Sequence, residues 1–274
     1  MARLNVEGSA LAKEICARLD VPYLQCGSLV LALSPEELPH LQKLYENGIA
    51  NGVPGIRLLS AEETFAMEPN PGPHCRWRAV CAQRRHRQPV GVCAGNGRSG
   101  CAQRRGAAPQ LPCDPHRKDR RRLGTDHPLR NCGNALYHQC GRHLAQAVHD
   151  MAAPHKFTIQ PTRGEYYLLD KSEGSRVHHV IFQCPNENGK GVLVAPTVHG
   201  NLIVGPNADP VEGDDTACTA AGLAFVSAAA RRSVPNIRFS ESIRNFAGVR
   251  ANVDTGDFVI GEAEARPVSL IWRA

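Results

Sequence analysis

The pattern Pro196-Thr197-Val198-His199-Gly200-Asn201 places a hydroxyl and an imidazole at a turn between two apolar runs. His199 in such a turn can transfer a proton or orient a substrate, or it can simply contact the turn's own backbone. Thr197 shares the turn, and Gly200 serves its geometry. Arg250 closes the run Ile243–Arg250 (IRNFAGVR). Its planar guanidinium pairs bidentately with a carboxylate or phosphate, and a surface ion pair is the plain alternative. A third cluster, Arg163-Gly164-Glu165-Tyr166, lies in FTIQPTRGEYYLL, where Tyr166 is as readily a packing residue as a ligand.

The elements that must position these residues follow from periodicity. Leu11, Ile15, Cys16 and Leu19 fall at helical spacing within 6–19. Residues 23–33 (YLQCGSLVLAL) are β-rich. Ser34-Pro35-Glu36-Glu37 opens a helix to about Asn47, with Leu38, Leu41, Leu44 and Tyr45 on one face. Ile56–Leu59 is a short strand, and Ser60-Ala61-Glu62-Glu63 opens a second helix. Further on, 157–169, 177–183, 191–195 and 202–204 read as strands. Residues 216–233 form an Ala-rich helix. Ile243–Arg250 and Asp257–Ile260 are strands joined by the turn Asp254-Thr255-Gly256. Several strands with one helix predict an antiparallel α+β layer.

Composition interrupts this order. The 274 residues carry a net charge of +6. Residues 71–144 alone hold 14 Arg and one Lys against three Asp, with seven of the 11 Cys and no Glu, Ile, Phe or Met, so the remainder is net acidic. That stretch shows no sustained period, which predicts a disordered Arg- and Cys-rich segment. Its cysteines form no C-x-x-C pair, so no zinc site is expected, and the metal set is empty. Its Arg runs at 84–87 and 120–122 could attract nucleic acid electrostatically, but no recognition motif accompanies them, so no specific nucleic-acid partner is expected. No run of about 18 apolar residues exists to span a membrane. Met1–Gly8 has no apolar stretch of the signal-peptide kind, so the expected compartment is the cytoplasm.

Two blocks carry a family resemblance. LDVPYLQCGSLVLALSPEELPHLQKLYENGIANGVPGIRLLSAEETFAMEPN resembles the segment after the flavin dinucleotide motif in D-amino-acid-oxidase-like flavoproteins. The nearest branch is that of the FAD-linked glycerol-3-phosphate dehydrogenases and 2-hydroxyglutarate oxidases. PTRGEYYLLDKSEG, GKGVLVAPTVHGNLIVGPNA and FAGVRANVDTGDFVIGE resemble that branch's substrate domain. The resemblance implies an α/β fold with an α+β substrate domain, lacking the N-terminal dinucleotide-binding unit. It implies FAD as cofactor and a small hydroxylated anion as substrate, with hydride passing to the flavin. Arg250, Thr197, Tyr166 and Arg163 would meet substrate, and His199 would be the catalytic candidate. Gly27, Ser28 and Gly200 would lie near the flavin. The intact family would supply a complementing subunit or a membrane electron acceptor. A 2-hydroxy-acid oxidase is the alternative within the class. A basic interaction module that binds nucleic acid is the alternative outside it.

The expected organisation is a helix–strand–helix remnant at 1–70, an out-of-frame segment at 71–145, a substrate domain at 146–264 and an altered tail at 265–274. The glycine-rich dinucleotide motif, the flavin-proximal Asn-Ala-Ala-Gly element and the closing C-terminal segment are not found. A chain without them is expected to hold little flavin and to be largely inactive. Read one base later, Gln83–Gly91 permits Ser-Gly-Ala-Ile-Val-Asn-Pro-Trp and Tyr137–Arg142 permits Thr-Ile-Asn-Ala-Ala-Gly. Lys118–Asp126 and Arg266–Arg273 allow family-like segments in the same way. The gene around codons 70–72, 143–147 and 265 should therefore show compensating shifts. A continuous frame that keeps the Arg-rich residues in close relatives would overturn this.

Overall fold

A computed structural model describes residues 2–68, 70, 78–82, 142–185, 191–257, 259–262 and 269–271. They divide into two compact units, one of residues 1–96 with 161–250 and one of 97–160 with 251–274.

The first unit is built on a mixed sheet. Its strands are β1 (Ser28–Ala32), β2 (Arg57–Ser60), β3 (Arg78–Ala82), β4 (Ile159–Leu169), β5 (Val180–Gln183), β6 (Leu193–Pro196), β7 (Leu202–Gly205), β8 (Asp209–Pro210) and β9 (Ser242–Val253). The order runs β2-β3-β1-β5-β6-β7-β4, with β8 and β9 also paired to β4. β1 and β5 are parallel, and the pairs β1–β3, β2–β3, β5–β6, β6–β7, β4–β7 and β4–β8 are antiparallel. The pairs β5–β6, β6–β7, β4–β7 and β4–β8 are antiparallel, as expected for the strands from residue 157 on, and the parallel pair joins them to β1.

Registration across the sheet explains the core. Leu29 pairs with Ile181, Ile181 with Val194, Val194 with Val204, and Val204 with Tyr167. These residues line one face, because paired positions share a side of the pleat. Helix α5 (Ala220–Ser233) covers that face, contributing Val226 and Ala230 to the same buried cluster as Leu29, Ile181, Val194 and Val204. The helix begins at Ala220 rather than 216, where Thr219 caps it and accepts from Gly222 N.

Around this core, helix α1 (Ala2–Arg18) buries Ala12 and Cys16, while Leu11, expected on the inner face, is exposed. Helix α2 (Leu38–Ala50) follows a single 3-10 turn at Pro35–Glu37. Ser34 makes no side-chain cap to that turn, so the expected N-terminus lies in the turn rather than in α2. α2 packs Leu41, Leu38 and Tyr45 against Val30, Ala32 and Leu58, and Leu44 is not in that cluster. Helix α3 (Ala61–Met67) has the predicted capping box between Ser60 and Glu63.

Strand β3 is the main departure from expectation. It falls in the stretch predicted to lack structure, yet it is central, hydrogen-bonded to β1 on one side and β2 on the other. A five-residue run, RAVCA, between Arg- and Pro-rich flanks is too short for periodicity to distinguish. Segments 1–70 and 146–264 both contribute strands to this sheet. The expectations for 83–141 fall outside the described residues.

The second unit contains helix α4 (Ala145–Ala152), residues 159–160 of β4 and 251–253 of β9, and a cluster of Ala145, Phe157, Ile159 and Ala251. Its strands β10 (Ile260–Glu262) and β11 (Ser269–Ile271) pair with each other. The strand expected at 257–260 begins at Ile260, and Ser269–Ile271, within the expected altered tail, form β11.

Buried acids tie sequence-distant segments together. Glu68, 1% exposed, accepts from His178 N at 2.8 Å, from His179 N at 2.5 Å and lies 2.7 Å from His179 Nδ1. Glu173 is fully buried and takes Arg176 Nε at 2.9 Å and Arg238 Nε at 2.7 Å. Burial pushes the Glu173 carboxyl up, but the hydrogen bonds from Arg176 and Arg238 outweigh it and hold the group below its ordinary value of 4.5. A depressed carboxyl stabilises the fold above its unfolded value and loses that contribution as pH falls through the native one. Glu173→Gln should cost about 2–3 kcal/mol at pH 7, the low side for a buried pair with half-exposed partners. It should also flatten the loss of stability between about pH 5 and 3. Denaturant melts of both proteins across that range check this, and parallel pH profiles would refute it.

Candidate functional site

Strand β4 places alternate residues on opposite faces of the sheet. Arg163, Glu165 and Tyr167 point toward α5. Arg163 Nη1 donates to Asp215 Oδ2 at 2.9 Å, and its Nε lies 3.7 Å from Glu165 Oε1. The Tyr167 hydroxyl donates to Leu223 O, and burial pushes its pKa up. Gly164 and Tyr166 face the other way.

On that second face β9 supplies Phe246, Gly248 and Arg250, two residues apart and so on one side of the strand. The Phe246 and Tyr166 rings stack, with centroids 5.2 Å apart and planes 10° apart. Arg250 Nη2 donates to the Tyr166 hydroxyl at 3.4 Å. A Cβ on Gly164 would come within 3.0 Å of Arg250 Nη2 and 2.9 Å of Pro206 Cβ, so the guanidinium lies directly over that glycine. Above Gly248 a Cβ would meet nothing within 4 Å. The result is a notch with an aromatic stack on one side and an exposed guanidinium on the other, suited to an anion attached to a small, partly apolar body.

The predicted residues divide on this map. Arg250 and Tyr166 come together. Arg163 lies on the opposite face, neutralised by Asp215 and Glu165. Thr197 closes the β6–β7 hairpin: its N–H bonds Asn201 O, and its Oγ1 accepts from Asn201 N at 3.0 Å. Gly200 adopts φ +84 in that turn. His199 is exposed at its tip. Because Leu202 pairs with Leu169, the hairpin stands beyond the far end of β7 from Tyr166, roughly 10 Å along the strand. Gly27, with φ +72, accepts from Val180 N and precedes the buried Ser28, which pairs with Val180 in the β1–β5 ladder. Four strand spacings, about 19 Å, separate β1 from β4. Phe246, Gly248 and Pro206 were not anticipated. The alternation Phe246-x-Gly248-x-Arg250 carries the signal for the first two.

Nor were Glu165 and Asn207 anticipated. Glu165 is fully buried at the start of α5, where its Oε1 accepts from Thr219 N at 2.5 Å. Asn207 Nδ2 donates to Glu165 Oε2 at 2.8 Å, and Glu165 N donates to Asn207 Oδ1 at 2.7 Å. An acid at a core-facing strand position is the sequence sign of such a network.

A nine-stranded mixed sheet carries a helix on one face and an arginine–aromatic notch on the other. The chain belongs to the DAO family of FAD dependent oxidoreductases, whose pattern it matches over residues 1–272. It is 39% identical over 277 residues to a glycerol 3-phosphate dehydrogenase of Caloramator mitchellensis, covering 95% of this chain and 55% of that protein. The chain thus spans about half the length of this relative. Over 75 residues, 27% of the chain and 15% of the relative, it is 47% identical to human mitochondrial L-2-hydroxyglutarate dehydrogenase. The fold resembles L-alpha-glycerophosphate oxidase from Mycoplasma pneumoniae with FAD bound, at TM-score 0.78 and 20% identity, covering 99% of this chain and 73% of that one.

FAD is the cofactor of this family, and the described residues fit it only in part. The open face at Gly248 and the stacked rings suit the substrate side. Three of the helix N-termini that could take a pyrophosphate are otherwise engaged: Glu165 occupies that of α5, the Ser60–Glu63 box that of α3, and a 3-10 turn precedes α2. Among the described residues no group of three His, Cys, Asp or Glu is placed to hold a metal ion, and no helix is long and apolar enough to cross a membrane.

The close packing at α5 gives a direct test. Alanine normally favours a helix over glycine by about 1 kcal/mol. At Gly222, however, a Cβ would overlap Glu165 Oε2 outright and approach Asn207 Nδ2 to 2.7 Å. Sterics should win, so Gly222→Ala should destabilise by about 1–3 kcal/mol. A thermal melt unchanged or raised would contradict the placement of Glu165.

Proposed function

We propose that the protein to which this layer belongs oxidises a small hydroxylated anion of the glycerol 3-phosphate type, and that the Arg250–Tyr166 notch takes the anionic group. The carrying observation is the convergence of Arg250, Tyr166 and Phe246 around the open backbone of Gly248. Arg250 offers a planar fork to phosphate oxygens, Tyr166 steadies the guanidinium, and the stacked ring of Phe246 gives the carbon skeleton an apolar wall. FAD, when bound, supplies the acceptor for hydride from the hydroxyl-bearing carbon. Support comes from the identity to the Caloramator mitchellensis protein across nearly the whole chain. A 2-hydroxy acid is the second reading, favoured by the 75-residue likeness to L-2-hydroxyglutarate dehydrogenase, because the same fork accepts a carboxylate.

We also propose that the out-of-frame stretch begins after Ala82 rather than near residue 71, since β3 keeps register with both neighbours. A chain so altered binds the anion without appreciable turnover. Calorimetric titration of the purified chain with glycerol 3-phosphate and with 2-hydroxyglutarate separates the two readings. Arg250→Gln should weaken binding of the preferred anion about a hundredfold, since charge-assisted hydrogen bonds contribute roughly 1.5–3 kcal/mol each. Arg250→Lys should weaken it about tenfold, having lost the fork but kept the charge. Equal affinity in wild type and Arg250→Gln would remove the notch from consideration.

A further inference from the structure

The pairing of β4 with its neighbours contains an irregularity beside the notch. Val204 lies opposite Tyr167, and Asp209 lies opposite Arg163. Four residues, 205–208, therefore face three, 164–166. Val211 N bonds Pro161 O and Asn201 Nδ2 bonds Leu169 O, so odd positions of β4 direct their backbone groups toward β7 and β8 alike. β8 thus continues β7 on one edge, and the extra residue makes a bulge. At the bulge, Glu165 N finds the Asn207 side chain as its acceptor, at 2.7 Å.

This substitution has a geometric consequence. Asn207, 3% exposed, bonds Glu165 through both of its amide atoms, and its Nδ2 also reaches Asp209 Oδ2 at 2.8 Å. Glu165 is itself fixed by Thr219 N at the head of α5. The residue before Asn207 is Pro206, whose ring closes over Gly164 beside Arg250, and the residue after Glu165 is Tyr166. Gly205 adopts φ +139 and packs against Tyr166: a Cβ there would come within 2.9 Å of Tyr166 Cδ1. One clamp therefore sets both the floor of the notch and the ring that meets the guanidinium.

The geometry points to Asn207 and Glu165 as positioning residues for the anion site, acting through Pro206 and Tyr166 rather than by contact with substrate. The idea rests on the notch proposed above, but its two halves can be separated. In the ligand-free full chain, Asn207→Ala should shift the Arg250 Nε–Hε and Tyr166 ring resonances. Gln183→Leu removes the bonds from Gln183 to Ala229 O and Ser233 Oγ, at the other end of α5. It should leave those resonances in place at a comparable loss of melting temperature. Titrated with glycerol 3-phosphate, Asn207→Ala should bind about tenfold more weakly, the effect of one lost hydrogen bond, and Gln183→Leu should bind as wild type. Should Asn207→Ala not fold, Asn207→Asp keeps the acceptor for Glu165 N, loses the donor, and should show the same shifts. Unmoved Arg250 and Tyr166 resonances in a folded Asn207 variant overturn the clamp. Moved resonances in a chain that binds neither anion leave the clamp standing and sink the functional reading alone.

Discussion

The whole arrangement depends on the pleat of β4. One strand serves a dry face and a wet face, and the period of two keeps them apart. Glu165 and Tyr167 meet α5, where they bond Thr219 N and Leu223 O. Gly164 and Tyr166 lie on the other face, beside Arg250. Slipping β4 by a single residue would carry Glu165 into the open and Tyr166 into the core. The register is fixed by the row from Leu29 through Ile181, Val194 and Val204 to Tyr167, which is apolar until its last member.

A buried carboxylate is costly unless donors surround it. Glu165, Glu68 and Glu173 meet that condition, each with backbone or guanidinium donors drawn from segments far away in sequence. They act less as charges than as multivalent acceptors that tell loops where to end. In α5 this arrangement has a second effect: the positive end of the helix is satisfied internally, while Arg250 stands exposed on the opposite face.

Much of this was legible in the sequence, and the failures have physical causes. The capping box of α3, the existence of α5 and the strands β4 to β7 and β9 followed from local pattern, because short-range periodicity and turn chemistry decide them. Arg250 and Tyr166 were found by resemblance, and the fold brings them together. Arg163, expected to meet substrate together with Tyr166, lies on the opposite face, because positions 163 and 166 differ in parity. Thr197 and His199 belong to a hairpin whose distance from Arg250 is set by the length of β7, which a turn motif does not reveal. β3 was hidden by its flanks, and the Glu165–Asn207 clamp by a separation of 42 residues.

The parallel pairing of β1 with β5 bears on how the chain comes to be made. β1 ends at Ala32 and its partner starts at Val180. During synthesis one edge of β1 can be covered early by β3, while the other waits for roughly 150 further residues, about ten seconds or more at ordinary elongation rates. Through that interval Leu29 and Leu31, and the acid at Glu68, have no lasting shelter. Nascent protein of this kind offers chaperones a long-lived sticky ribbon, and its yield in cells should follow their supply more closely than its equilibrium stability would suggest.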